Sequence, residues 1–295
     1  MNNFYIVTNK VVAIVPTFNE LGDNLRFRDK WLTHNNFFFL ALKSTTRSYY
    51  RVVIYLSLCS RSTNPPSELA GIFSYLEDWP EHHETQVAIG IARDSDSIYE
   101  GHKKNIGYFN PNDRLSDDDI IVFMHDDVEI ISTPSEFTRG LKHCLKPGVG
   151  FIGVAGTTHL TDRATWWEGR SNGETRGFVF QGPDNDTMAP NAFGPCGQVV
   201  VMDGCFLAAT WKTVKKLGMD KPKYLTSDWD FYDLHMTFKA YMEGLTNYVV
   251  PIVIRHVSSG EMRQQWYTSR QEFAKEHRKW LPCKVPLNTT LGLPV

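Results

Sequence analysis

An acidic cluster follows a strongly apolar run in the segment IIVFMHDDVEI, residues 121 to 131. Apolar, β-branched runs of this length are typical of buried strands, so His125, Asp126 and Asp127 stand where the predicted strand leaves the core. A second histidine, His256, ends another apolar run. Carboxylate oxygens and imidazole nitrogens together suit Mn²⁺ or Mg²⁺. The segment is therefore either a divalent-metal site or a solvated acidic turn, and its position alone leaves both interpretations open.

Further carboxylates lie in a helix predicted after residue 228. When residues are placed at about 100° each, the apolar side chains share one face, whereas Asp230, Asp233 and Thr237 share the neighbouring polar side. Gly244 stands where a glycine commonly ends a helix. We therefore expect both carboxylates to face away from the core.

The elements that must position these side chains alternate between strands and helices. Helix-compatible stretches run from 67 to 79 and from 134 to 146, and each has a Ser near its start as a candidate N-cap. This alternation predicts an α/β fold with a central, mostly parallel sheet flanked by helices. Ligands bind such sheets at the carboxyl ends of the strands, where the acidic cluster lies. The predicted strands are 11–15, 51–58, 86–92, 119–124, 148–156, 198–204 and 247–257.

The stretch from 157 to 197 is rich in Gly, Asn, Asp, Pro and Trp. A polar insertion of this length in a compact domain is usually a functional loop or a disordered segment, and its Trp166 and Trp167 argue against disorder. The pair Asn172 and Gly173 predicts a small hairpin. We expect this stretch to shape a binding pocket, together with a C-terminal helix within 264–282.

Composition limits the class of protein. The chain has 295 residues, of which 42% are apolar, which is enough for a substantial core. Its formal net charge is −2 and its basic residues are dispersed, which does not indicate a nucleic-acid binder. The five cysteines have no CxxC spacing, so they indicate neither a zinc site nor a disulfide framework. No apolar stretch is long enough to span a bilayer, and we predict a cytoplasmic protein without a transmembrane segment.

Six segments, taken in order, resemble the pattern of family 2 glycosyltransferases of GT-A fold and are most similar to their StrF-like branch. The resemblance spans roughly residues 51 to 261. A kinship with the small cytoplasmic glycosyltransferases of large algal viruses is a further guess, which no motif supports. The six segments are VAIGIARDSDSIYEGHKKNIGYFN, IIVFMHDDVEI, WWEGRSNGETRGFVFQG, VVVMDGCFLAAT, DFYDLHMTF and PIVIRHVSSGE.

The resemblance implies a metal site. In such enzymes an Asp-x-Asp motif at a strand end holds the metal that is bound to the donor diphosphate. Asp127 aligns with the second Asp of this motif, and His125 stands where the first would be. Either Asp126 substitutes for the missing carboxylate, or Asp127 alone reaches the metal while His125 contacts ribose or phosphate. The resemblance also makes His256 a metal ligand, with Mn²⁺ or Mg²⁺ as the cofactor.

The resemblance places Asp233 at the position of the general base in inverting enzymes. A carboxylate on a helix face away from the core can take a proton from an acceptor hydroxyl. Asp203 is the alternative base, and otherwise orients sugar hydroxyls. Asp230, Trp166 and Trp167 are assigned to the sugar or the acceptor, although large aromatic side chains equally often serve packing.

Two segments compete for the first strand of the nucleotide-binding half. The family has a single helix between its first two strands, which fits the interval from Cys59 to Asp94 but not the longer interval from Phe18. We therefore take VVIYLSLCSRS as strand one. The reverse choice would move nucleotide contacts to Thr17, Asn19 and Glu20. The predicted nucleotide-binding residues are Ser57, Cys59 and Arg61 at the base, Asp94 at uracil or ribose, Ser97, Lys104 and Asn105 near the phosphates, and His125 and Asp126.

The combined prediction is a single domain that transfers a sugar. We expect a metal-dependent, inverting glycosyltransferase that moves a sugar from a nucleotide-sugar donor, with UDP as the expected nucleotide, to a hydroxyl of a glycan acceptor. One alternative is a non-catalytic nucleotide-sugar or glycan binding module, because the first Asp of the motif is missing. Another is a metal-dependent phosphohydrolase that uses His125 and Asp126. The predicted parts are an extension or extra strand (1–48), a nucleotide-binding half (49–147), an acceptor and catalytic half (148–262) and a C-terminal segment (263–295).

Overall fold

The computed structural model describes residues 2–8, 11–13, 52–61, 68–80, 85–184 and 186–285. The strands are β1 (Asn2–Thr8), β2 (Val11–Ala13), β3 (Val53–Cys59), β4 (Gln86–Ala92), β5 (Ile120–His125), β6 (Val128–Ile130), β7 (Val149–Gly153), β8 (Ala155–Thr157), β9 (His159–Leu160), β10 (Thr175–Gly182), β11 (Ala189–Gly194), β12 (Gly197–Val199), β13 (Val201–Met202), β14 (Phe206–Thr210), β15 (Thr246–Val249), β16 (Ile254–Val257) and β17 (Cys283–Lys284). The α-helices are α1 (Glu68–Glu77), α2 (Ile98–Phe109), α3 (Pro134–Leu141), α4 (Trp211–Leu217), α5 (Tyr232–Met242) and α6 (Gln264–His277), and short 3-10 helices span Lys142–Leu145 and Glu168–Asn172.

A nine-stranded sheet in the order β12-β15-β7-β14-β5-β3-β4-β1-β2 forms the centre of the fold. Strand β3 pairs in parallel with both β4 and β5, whereas β1 and β2 extend the edge beyond β4 with antiparallel pairing. The predicted α/β class is confirmed. Strand β3 lies between β4 and β5, which agrees with its assignment as the first strand of this half.

Most strands of this sheet point the same way, as predicted, although the sheet is mixed. Strands β2, β3, β4, β5, β7 and β15 point the same way, but β1, β12 and β14 are reversed. Strand β14, which was not predicted, lies antiparallel between β5 and β7. It is reversed because the chain enters β14 at the end of the sheet where β5 terminates, and antiparallel pairing needs no crossover helix.

A second sheet, in the order β13-β8-β10-β16-β6 with β11 on β10, stands beside the first. Three of the predicted strands are each divided between the two sheets, which corrects their bounds: 148–156 into β7 and β8, 198–204 into β12 and β13, and 247–257 into β15 and β16. The chain also passes from β5 in the first sheet to β6 in the second. The junction of the sheets therefore begins where the acidic cluster stands.

Strand β5 owes its position to its apolar residues. Its first five residues are buried, and His125 at its end is half-buried. Strand β3 on one side and β14 on the other cover its edges. Because successive residues of β5 are buried on both faces, a continuous apolar run is needed. The pattern IIVFMH therefore delivers the polar residues that follow to the surface of a cleft.

Helix α5 is tied to the sheets by buried polar contacts. Asn247 accepts a hydrogen bond from Phe151 N (2.9 Å) and donates to Val200 O (2.8 Å) and Thr237 O (2.7 Å). The predicted polar side of this helix is partly wrong, because Thr237 is buried and its Oγ1 accepts from Met202 N. Gly244, with a φ of 75°, directly follows the helix C-cap, as expected.

Helix α3 begins at Pro134, one residue before Ser135, which was the predicted candidate for its N-cap. The N-cap is Thr133, whose Oγ1 accepts from Glu136 N, while the Glu136 carboxylate accepts from Thr133 N. This is a reciprocal capping box, and Ser135 lies inside the helix.

Among the described residues, no helix has the length and apolar composition needed to cross a membrane.

We expect Thr133→Ala to lower the free energy of unfolding by about 1 kcal/mol, because a backbone N–H of the first turn loses its acceptor. The measurement is denaturant unfolding at neutral pH. The matched control is Ser135→Ala, on the same exposed helix start, for which we expect less than half of this loss. Equal losses in the two variants would contradict the assignment of the cap.

Candidate functional site

A cleft of about 1130 Å³ opens at the junction of the two sheets, beside the end of β5. Its lining includes the end of β3, the turn between β5 and β6, the turn between β13 and β14, the start of α5 and the start of α6. The carboxyl end of a sheet strand is the expected place for a ligand site in an α/β fold. The cleft therefore coincides with the predicted ligand edge.

Three potential metal ligands converge in this cleft. Asp127 Oδ1 lies 3.3 Å from His256 Nε2 and 3.8 Å from His125 Nδ1, and the two imidazole nitrogens lie 3.4 Å apart. Donor atoms about 2.0 to 2.2 Å from one ion are separated by such distances. His125, Asp127 and His256 therefore fit around a single divalent ion.

A buried oxygen supports this fit. Among the described residues, no donor makes a hydrogen bond of good geometry to Asp127 Oδ1, although this atom is buried. A buried carboxylate oxygen without such a donor is costly. An ion coordinated by Asp127 and His256 would supply the missing partner.

Asp127 and His256 each shift the pKa of the other toward the charged form. Burial opposes ionisation of Asp127, but the neighbouring imidazoles of His256 and His125 lower its pKa. Burial likewise opposes the charged form of His256, yet Asp127 raises the pKa of His256. Burial lowers the pKa of His125, which favours its neutral form. Binding of a cation would therefore compete with a proton on His256.

A pair of carboxylates faces the metal cluster across the same cleft. Asp233 accepts hydrogen bonds from Gly204 N at Oδ2 (2.9 Å) and from Leu234 N at Oδ1 (2.8 Å). Asp203 Oδ1 accepts from Cys205 N (2.9 Å). Burial, and next the negative charge of Asp203, raise the pKa of Asp233 to about 7. Asp233 therefore exchanges a proton near neutral pH, as a general base must.

The turn before α5 points Asp233 into the cleft. Phe231 has a φ of 64° and precedes the helix as its N-cap residue, a conformation that is uncommon for a bulky side chain. Its ring is held by Trp266 and Phe273 of α6, at centroid distances of 5.4 and 5.7 Å. Packing of α6 on this turn therefore stabilises the position of the carboxylate.

The cleft wall near β3 carries Asp126, Cys59 and Arg61. Burial raises the pKa of Asp126, and a hydrogen bond from Ser60 partly offsets that effect. Burial also raises the pKa of the Cys59 thiol to about 12, which makes this thiol an unreactive packing group. The Arg61 guanidinium lies 4.4 Å from the ring centroid of Trp229, a cation–π contact.

Some predicted nucleotide-binding residues lie elsewhere. Ser57 and Asn105 are fully buried, and Asn105 Nδ2 donates to Ser57 Oγ (3.0 Å) and Leu58 O (2.8 Å). Ser57 lies deeper in β3 than Cys59, and its Oγ is 2.8 Å from His102 Nδ1 of α2, so these residues pack α2 on the sheet. This corrects their assignment to the base and the phosphates.

Three more of the predicted residues fall outside the cleft lining. Ser97 is the N-cap of α2, where it accepts from Tyr99 N (3.2 Å). Asp94 and Lys104 are exposed and do not line the cleft. Thr17, Asn19 and Glu20, which belong to the alternative first strand, lie outside the described residues.

Aromatic side chains form another part of the cleft lining. Trp166 is buried and packs edge-on against Trp167 (5.6 Å) and Phe193 (5.0 Å), whereas Trp167 stacks on Trp266 of α6 (5.4 Å, interplanar angle 30°). Asp230 lines the cleft and accepts a hydrogen bond from Ser227 Oγ (2.7 Å). Strands β10 and β11 form a hairpin in this stretch, but the predicted turn is wrong, because Asn172 and Gly173 precede β10 and Gly173 ends the 3-10 helix before it.

Several lining residues were not predicted from the sequence, among them Tyr232, Trp229 and Trp266. Trp229 directly precedes Asp230 and Tyr232 directly precedes Asp233, and both acids were predicted site residues. This proximity in sequence was an available signal. Trp266 had a signal too, since it lies in the C-terminal helix that was expected to shape a pocket. Their contacts depend on distant elements and carry no local pattern.

Comparison with known proteins identifies the class. Residues 78–279 match the model of a glycosyltransferase-like family, and the chain belongs to that family. This membership and the α/β fold with its large central sheet agree with the predicted GT-A fold. The StrF-like branch and the viral kinship stay predictions.

Solved structures show weaker likeness. The mannosyltransferase PcManGT from Pyrobaculum calidifontis, in complex with GDP-Man and Mn²⁺, has a TM-score of 0.40 and 16% identity over 81% of this chain and 67% of that chain. The protein A197 from STIV has a TM-score of 0.36 and 10% identity over 68% of this chain and 81% of that chain. A comparison with curated protein sequences finds no match.

The raised pKa of Asp233 predicts a pH-dependent stability. Because the folded-state pKa of about 7 exceeds the ordinary value of 3.8, stability present below pH 4 is lost as the pH rises to about 7. Relative to the wild type, Asp233→Asn should therefore gain roughly 2 to 3 kcal/mol in unfolding free energy between pH 4.5 and pH 8. Denaturant unfolding at both pH values measures this gain.

The control for this measurement is Asp162→Asn, which removes an exposed carboxylate. Its unfolding free energy should follow the wild type at both pH values. A constant difference between Asp233→Asn and the wild type from pH 4.5 to pH 8 would show that Asp233 has an ordinary pKa.

Proposed function

We propose that this protein is a divalent-metal-dependent, inverting glycosyltransferase that moves a sugar from a nucleoside-diphosphate sugar to a hydroxyl of a glycan acceptor. The observation that carries the proposal is the meeting, in one cleft, of a metal-type cluster with a carboxylate whose pKa lies near neutrality. Family membership supports glycosyl transfer in general. The cleft supplies the parts that a single displacement needs.

The metal would be held by Asp127 and His256, and Mn²⁺ is the expected ion. When bound, it would neutralise charge on the donor diphosphate and on the leaving nucleoside diphosphate. Asp126 and Asp127 would otherwise repel such a donor. Asp127 provides the charged ligand, and Asp126 is held by Ser60 on the β3 side of the cleft.

Asp233 is the proposed general base. Its carboxylate is fixed by two backbone N–H groups, so it keeps one orientation while it takes the proton from the acceptor hydroxyl. The hydroxyl oxygen forms the new bond to the anomeric carbon as the bond to the diphosphate breaks, which inverts the anomeric configuration. Burial and then the charge of Asp203 raise the pKa of this base, and Asp203 is the candidate to orient sugar hydroxyls.

The two walls of the cleft suggest the places of donor and acceptor. Arg61 and Trp229 form a planar platform beside the end of β3, which suits a nucleotide base, and UDP stays the expected nucleotide. Trp167 and Trp266 form an aromatic face on the other wall, which suits the apolar face of an acceptor sugar. A cytoplasmic location stays a prediction.

Binding should require metal and nucleotide together. A ligand that binds only the folded state raises the melting temperature according to its saturation. We expect UDP with Mn²⁺ to raise it by more than the sum of the two separate shifts, because a cation held by Asp127 and His256 would offset the negative charge of the diphosphate. Differential scanning fluorimetry measures these shifts, and GDP and dTDP are run in parallel to identify the nucleotide.

Asp127→Asn should abolish the joint shift. The matched control is Glu174→Gln, which also changes a carboxylate paired with a histidine. Glu174 Oε2 lies 3.0 Å from His159 Nδ1, and this pair does not line the main cleft. The control variant should keep the joint shift. If Asp127→Asn keeps the joint shift as well, the metal assignment is wrong. Binding without hydrolysis or transfer across a broad acceptor panel would favour a non-catalytic binding module.

Transfer should depend on Asp233. We expect Asp233→Asn to lower the rate of transfer about 10²- to 10⁴-fold while nucleotide and Mn²⁺ still bind, because the variant removes the base and leaves the metal cluster intact. Wild-type kcat/KM should rise with pH through about 7, as Asp233 loses its proton. Retained transfer in Asp233→Asn together with loss in Asp203→Asn would move the base to Asp203.

A further inference from the structure

We propose that His125 is a third ligand of the metal site, through Nδ1, and that Tyr232 is the positioning residue that fixes the required imidazole tautomer. This rests on the proposed function only in that the cluster binds a divalent ion. It differs from both alternatives given in the sequence analysis, neither of which makes His125 a metal ligand, although His125 stands where the resemblance expects a carboxylate.

The hydrogen bonds of one hydroxyl determine the tautomer. The Tyr232 hydroxyl lies 2.6 Å from Gly204 O, and a carbonyl oxygen only accepts, so the single hydroxyl proton points to Gly204. His125 Nε2 lies 2.9 Å from the same hydroxyl oxygen. Because the hydroxyl proton is already used, His125 Nε2 must carry a hydrogen and donate it. In neutral His125 the lone pair is therefore on Nδ1.

That lone pair faces the other two ligands. His125 Nδ1 is 3.4 Å from His256 Nε2 and 3.8 Å from Asp127 Oδ1. A histidine metal ligand commonly donates its other N–H to a neighbouring acceptor, which fixes the ring and its tautomer. The Tyr232 hydroxyl is the acceptor here, and its own hydrogen bond to Gly204 O fixes its orientation.

The position of Tyr232 is itself fixed by the fold. Its side chain is buried and stands at the start of α5, directly after the left-handed residue Phe231. A Cβ at Gly204 would collide with the Tyr232 hydroxyl, so the close approach of the carbonyl requires glycine there. The glycine at position 204 and the left-handed conformation of Phe231 therefore both accompany the hydrogen bond from Tyr232 to Gly204 O.

Asp126 does not take the place of the missing first carboxylate. It interacts with Ser60, beyond the end of β3, and the three ligand atoms that come together belong to His125, Asp127 and His256. Two imidazole nitrogens and one carboxylate suit Mn²⁺, Co²⁺ or Zn²⁺, whereas Mg²⁺ prefers oxygen ligands. The site should therefore discriminate against Mg²⁺.

Titration of the purified full chain with Mn²⁺ and with Mg²⁺, without nucleotide, tests this inference by calorimetry and by Mn²⁺ electron paramagnetic resonance. The wild type should bind Mn²⁺ at least about tenfold more tightly than Mg²⁺. Tyr232→Phe should weaken Mn²⁺ binding about tenfold or more. In the metal-free protein, ¹⁵N resonances of His125 should show the Nε2–H tautomer in the wild type and a mixture in the variant.

The matched control is Tyr224→Phe. The Tyr224 hydroxyl also contacts two histidines, His235 (2.9 Å) and His277 (3.1 Å), but this cluster does not line the cleft. Its Mn²⁺ affinity should equal that of the wild type. Unchanged Mn²⁺ affinity and an unchanged His125 tautomer in Tyr232→Phe would overturn the positioning role.

A second variant keeps the test decisive if Tyr232→Phe unfolds. His125→Asp exchanges an imidazole for a carboxylate and should shift the preference toward Mg²⁺ by about tenfold or more; an unchanged ratio of Mn²⁺ to Mg²⁺ affinity would show that His125 is no ligand. These results are independent of turnover. A protein that binds Mn²⁺ as described but binds no nucleotide contradicts the proposed function and leaves this inference standing.

Discussion

Antiparallel pairing of β6 with β16 brings together side chains that are distant in the chain. His125 and His256 are 131 residues apart, yet the register that places His256 opposite Val128 puts its imidazole beside the turn that carries Asp127. Strand β5 supplies the other half of this constraint, because its buried apolar residues fix the point at which the chain leaves the first sheet. The cleft exists because the chain changes sheets at this point.

Charge burial makes the site costly for folding and useful for chemistry. Two backbone N–H groups only partly compensate the carboxylate of Asp233, and its pKa therefore stays near 7. Such perturbed groups cluster at functional sites. Asp127 shows the opposite balance, since neighbouring imidazoles lower its pKa. Two carboxylates in one cleft thus have different protonation, which permits different roles.

Local patterns predicted the parts of this site that depend on local structure. The run before His125 predicted β5 to within a residue, and its end gave the right place for Asp127. The division of the runs 148–156 and 198–204 between two sheets was hard to predict, because both halves of each run are mostly buried. In the run 247–257, by contrast, Pro251 lies between β15 and β16 and was an available signal of the break. Ser57 was misplaced because a strand pattern does not show which residues a helix will cover. The role of Tyr232 was hidden, since it depends on a carbonyl 28 residues away.

Donor hydrolysis tests the central claim most directly. The purified protein is incubated with a panel of UDP-, GDP- and dTDP-sugars, and release of the nucleoside diphosphate is measured with Mn²⁺ and with a chelator. The account predicts release from at least one donor that requires Mn²⁺ and disappears in His256→Ala. Release that continues at the same rate in the chelator and in His256→Ala would contradict a metal-dependent transfer site at this cleft.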